Sequence, residues 1–84
     1  MDGGVLAAVG RFPEQRRAIE TLAAGDESFR TLCDDLAEAE AALAGWRASS
    51  AAVRDARCAE YEGIVQDLAR EIEQALGAKG HDER

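Results

Sequence analysis

Two runs of apolar residues, spaced in alternating steps of three and four and separated by a Ser-Ser pair, constrain the fold more than anything else in this chain. Phe29, Leu32, Leu36, Ala39, Leu43 and Trp46 form the first run. Cys58, Tyr61, Val65, Leu68, Ile72 and Ala75 form the second. Such steps keep side chains on one side of an α-helix, so each run is the seam of a long helix. Arg47-Ala48-Ser49-Ser50 lies between them and reads as a turn, with Ser50 as the N-cap of the following helix. A connection that short makes the two helices antiparallel. Pairing outward from it sets Leu43 near Cys58, Leu36 near Val65 and Phe29 near Ile72. The expected fold is all-α, an antiparallel helical hairpin over 26–46 and 51–76. With 18 Ala, one Pro and no β-branched run longer than Ile64-Val65, no strand pattern competes.

The flanking segments fill out the plan. Phe12-Pro13-Glu14 opens a short first helix, because Pro suits the first turn and Glu favours the positive end of the helix dipole. Ala18, Ile19, Leu22 and Ala23 follow at helical spacing. Gly25 is expected to end this helix in a left-handed cap, and Asp26 to cap the next. Leu22 and Gly25 also continue the phase of the seam backwards. Collinear and folded-back arrangements of the first helix therefore both stay open. Residues 1–11, rich in Gly, read as a flexible N-terminal arm, 12–76 as the hairpin domain, and 77–84 as a flexible tail beyond Gly77. With 84 residues the chain holds one small domain.

Charge narrows the partners. The chain carries 10 Lys and Arg against 17 Asp and Glu, a formal charge of −7. Most of the excess lies on the long helices. Residues 26–46 carry six acids against Arg30, net −5, and residues 51–76 carry six acids against three Arg, net −3. So acidic a domain repels phosphate backbones and anionic lipid surfaces, which argues against nucleic-acid and membrane partners. No apolar stretch approaches the ~20 residues of a bilayer span. The acid at position 2 stands where a secretory leader has a base, so a cytoplasmic location is expected.

The pattern Phe12-Pro13-Glu14, then Ile19 and Leu22, then Asp26-x-x-Phe29-x-x-Leu32 resembles the opening of a small bacterial family of short proteins of unknown function typified by YdcH. The match runs over residues 12–46. The resemblance implies a helical hairpin and brings no catalytic residues. Beyond it, Val53-Arg54-Asp55-Ala56-Arg57-Cys58-Ala59-Glu60-Tyr61 stands where the family is rich in Lys and Leu.

No constellation for chemistry is visible, so the chain is read as non-enzymatic, with no catalytic residue, cofactor, metal or small-molecule substrate. Cys33 and Cys58 are small apolar fillers. The hairpin register sets them on the order of 15 Å apart along the axis, too far for a disulfide. His81 falls in the tail. The acidic pairs Asp34-Asp35 and Glu38-Glu40 diverge around one helix and form a solvated face. Asp26 and Arg30 are placed to pair at i,i+4. Gly63 falls on an outer face, where it marks either drift or the close approach of another helix.

What remains is surface. The second long helix shows its seam plus a further stripe of Ile64, Ala69 and Leu76, more than one partner helix can cover. Trp46 at the hairpin tip is a candidate anchor. Ile64, Ala69, Leu76 and Trp46 are the expected interaction surface. The expected role is a protein–protein interaction module, either self-associating as a homodimer or serving as an accessory or regulatory subunit. A purely structural homodimer is the alternative.

Overall fold

The computed structural model describes residues 3–82, with side chains placed as far as Gly77. The order of elements is α1 (Gly3–Arg11), a 3-10 turn (Pro13–Gln15), α2 (Arg16–Gly25), α3 (Glu27–Arg47) and α4 (Arg54–Asp82). All regular structure among the described residues is helical, as the two seams require. The molecule is a rod of 50 × 22 × 21 Å. Its length follows from α4, whose 29 residues span about 44 Å at roughly 1.5 Å each.

The first correction concerns the N-terminal arm. Residues 3–11 form a helix packed on the core, with Val5 and Ala8 buried. Val5 and Ala8 are three apart and share one face, which lies against α3. Two contacts give the direction. Gly4 meets Cys33 and Asp34 at one end of α1, and Arg11 pairs with Glu40 at 3.2 Å at the other. Both partners lie about 30 positions ahead in sequence, so α1 runs in the same sense as α3. The approach at Gly4 is so close that a Cβ there would lie 2.7 Å from the backbone N of Asp34. The Asp34 carboxylate also lies against this first turn, where the helix dipole favours negative charge. The glycines that make this run read as a flexible arm do not keep it from folding. It is ordered by docking, and one of those glycines makes the docking possible.

Phe12 and the 3-10 turn reverse the chain, held by Phe12 N–H to the Ala8 carbonyl at 2.9 Å and Gln15 N–H to Phe12 at 3.0 Å. Helix α2 then returns toward the start of α3. It touches α1, α3 and α4 and buries Ile19 and Ala23, so the folded-back alternative is the observed one. The stop between α2 and α3 is also not the one expected. Gly25 has no positive φ; the break is Asp26, extended at φ −135°, ψ 104°. Asp26 ends α2 and caps α3 at once, its Oδ1 accepting the Phe29 N–H at 3.1 Å. Arg30 does not pair with Asp26. Its guanidinium donates to the Ala23 carbonyl at 2.6 Å, at the end of α2 where the dipole favours a cation. Replacing Asp26 by Ala is expected to cost about 0.5–2 kcal/mol, the usual loss for an N-cap, with Asn retaining most of it. Urea midpoints of the two variants check this.

Helices α3 and α4 make the most extensive contact in the molecule. The connection between them is longer than expected, 48–53, and Ser50 is not the N-cap. Ser49 Oγ accepts the Ala51 N–H at 3.0 Å, and a turn closed by Arg54 N–H to the Ala51 carbonyl delays helix entry by three residues. Arg54 donates back to the Arg47 carbonyl at 3.1 Å, tying the two helix ends together. At the far end Gly77 does not stop α4, which continues to Asp82. No left-handed glycine occurs among the described residues. The side chains of 78–84, including His81, and the backbone of 83–84 lie outside the described residues, as do Met1 and Asp2.

Candidate functional site: an open groove between α3 and α4

Part of each seam is in the core. Phe29, Leu36, Ala39 and Leu43 of α3 are buried with Cys58, Val65 and Ile72 of α4. The informative residues lie on either side of these buried rows, because the two flanks differ. On one side of α3, Cys33 is fully buried and Glu40 is held by Arg11, both under α1. The matching side of α4 carries Ala69 and Leu76, also buried. Phe12 and Arg11 share a crevice with Ala69, and both α1 and α2 touch α4. This flank of the helix pair is closed by the chain's own N-terminal third.

The other flank is open. Leu32 and Trp46 of α3 and Tyr61, Leu68 and Ala75 of α4 pack against the core and stay only partly buried. Between the two helices on this side runs a groove of about 460 Å3. Its α3 wall is Asp35, Glu38, Ala39 and Ala42; its α4 wall is Tyr61, Ile64 and Leu68. The groove exists because Ala39 and Ala42 are small where Tyr61 and Leu68 are large.

The expected surface therefore divides. Ile64 lies in the groove and is 38% exposed. Trp46, half-buried, lies one turn beyond Ala42. Ala69 and Leu76 do not belong to an exposed stripe. They sit on the opposite side of the α4 seam, as their helical positions relative to Val65 require, and α1 and α2 supply the cover that the sequence left unassigned. Leu32, Ala42, Asp35 and Glu38 also belong to the open face, although the sequence reading places Leu32 in the seam and Asp35 and Glu38 on a solvated face and assigns none of the four to the interaction surface. The signal for them was present in the small residues Ala39 and Ala42 opposite Tyr61, which read equally well as ordinary packing.

The groove floor is apolar and its rim acidic. Asp35 and Glu38 border it on α3. Along the outer edge of α4, Glu60 lies one turn before Ile64 and Glu71 two turns after it, both exposed. Glu60 accepts from Arg57 at 2.8 Å. Asp35, Glu38 and Glu71 have no cationic partner among the described residues. Gly63 has nothing within 4 Å of an added Cβ, so no other helix approaches it among the described residues. Both cysteines are buried and neither is in a disulfide. Among the described residues no group of three or more His, Cys, Asp or Glu could hold a metal ion. No helix is long and apolar enough to cross a membrane. No family model, no curated protein and no solved structure matches this chain.

Proposed function

We propose that this chain is a non-enzymatic helical protein–protein interaction module. In this reading α3 and α4 are an antiparallel hairpin, α1 and α2 brace one face of it, and the opposite face receives another polypeptide. The observation that carries the reading is the asymmetry of the two flanks. Cys33, Ala69 and Leu76 are covered on one side, while Leu32, Tyr61, Ile64 and Leu68 stay partly open on the other. Burying a large aliphatic side chain gains about 1.5–3 kcal/mol relative to exposure, so a contiguous open row favours a covering surface. A role as an accessory subunit in the cytoplasm, and kinship with the YdcH-like family through the Phe12-Pro13-Glu14 and Asp26-x-x-Phe29-x-x-Leu32 pattern, belong to the same proposal.

Site-directed photo-crosslinking in the source cell tests it. A photoreactive residue replacing Ile64 is expected to give a discrete adduct, whereas one replacing the exposed Glu73, half a turn around α4 from Ile64, gives none. Equal yields from the two positions, or no adduct from position 64, would sink the reading.

A further inference from the structure

We propose that the groove between α3 and α4 binds a basic amphipathic helix of another protein. This rests on the interaction-module reading and specifies the partner. Shape is the first argument. The groove lies between two packed helices, and its α4 wall, Tyr61, Ile64 and Leu68, repeats at helical steps of three and four. Such a notch accepts the ridge of a third helix, the helix-in-groove mode in which apolar anchors at i, i+3, i+4 and i+7 seat in a row. Ala39 and Ala42 leave the room that those anchors fill.

Charge is the second argument, and it decides between a second copy and a different protein. Asp35 and Glu38 border the floor on one side, and the exposed Glu71 lies about one turn beyond Leu68 on the other helix. Among the described residues most of the chain's own cations are engaged within the chain, Arg17 excepted. Arg11 is on Glu40 across the molecule, Arg30 on the Ala23 carbonyl, Arg47 on Glu62 and Arg70 on Asp67. A symmetric pair of these grooves would set the same three unpaired carboxylates against their own copies, and like charges across an interface oppose assembly. A helix with an apolar stripe flanked by Lys and Arg fills the floor and pairs the rim.

The test uses the full chain and two synthetic probes. One is a labelled amphipathic peptide of about five helical turns, with Leu along one stripe and Lys and Arg on both flanks. Its twin carries Glu at every basic position. Fluorescence anisotropy is expected to show saturable binding of the basic peptide, one per chain, with the twin at least tenfold weaker. Asp35→Asn with Glu38→Gln is expected to weaken the basic peptide about tenfold, as the loss of two rim ion pairs implies. Ile64→Gln weakens it as well. Each replaced side chain is exposed, so thermal unfolding stays near wild type. Binding that ignores peptide charge yet is lost in Ile64→Gln overturns the basic partner and leaves the interaction module standing. A doubled mass in light scattering, abolished by Ile64→Gln, puts a second copy in the groove and does the same. No binding of either peptide, or binding indifferent to Ile64→Gln, overturns the proposal; the crosslink at position 64 then reports separately whether the face is used at all.

Discussion

Gly4→Ala is expected to force α1 off α3 and to destabilise the protein by about 1–3 kcal/mol, the usual range for overpacking a filled site. The added methyl would lie 2.7 Å from the Asp34 backbone N and 2.8 Å from the carbonyl carbon of Cys33. Those atoms belong to the middle of a 21-residue helix and cannot turn aside as a side-chain tip does. Relief comes only from moving α1, which withdraws Val5 and Ala8 from the core. Gly63→Ala is the matched control. An added Cβ there meets nothing within 4 Å, so the better helix former is expected to stabilise by about 1 kcal/mol. Urea midpoints are expected to move in opposite directions. If both rise, α1 does not dock on α3 in this way.

Leu36→Ala is expected to cost about 2–5 kcal/mol, the range for truncating a buried Leu. Leu36 is fully buried at the centre of the α3 seam, surrounded by the cluster that joins α1, α3 and α4. Little of the cavity can close, because the neighbouring helices are held on both sides. Its sequence neighbour Asp35 lines the groove with its side chain exposed, and Asp35→Asn is expected to stay within about 0.5 kcal/mol. Denaturant midpoints with unchanged slopes separate the two. A ranking in which Asp35→Asn is the more harmful would mean that the seam is misplaced.

The long helices were legible because their seams repeat over many turns, and repetition makes a period readable from one sequence. The Asp26 cap was legible because an aspartate before Phe29 and Leu32 has few other roles. What failed to read were features set by single contacts. Helix α1 has two inward residues, too few for a period, and its reason to fold is the gap that Gly4 leaves against Asp34. Ser50 and Gly77 have the right residue type for a cap and a stop, but Ser49 took the turn and α4 ran on through Gly77. The open face was half legible. Ile64, Ala69 and Leu76 look alike in sequence as apolar residues beyond the seam, and Trp46 stands apart from them as a seam residue at its end. Only the path of α1 and α2 over one flank distinguishes them.

The same N-terminal bracing makes the rod unequal along its length. Val5, Ala8, Ile19 and Ala23 all reinforce the part of the rod where α3 begins and α4 passes Ile72 and Leu76. Toward the connecting loop the buried side chains thin to Leu43 and Cys58, and Val53 is 48% exposed. Opening free energies in proteins follow local apolar contact, so this end is expected to open before the rest. A helix laid along Ala42, Ile64 and Leu68 straddles the boundary between the two regimes. In the proposed complex it would act as a splint, lending the weak end the rigidity of the strong one.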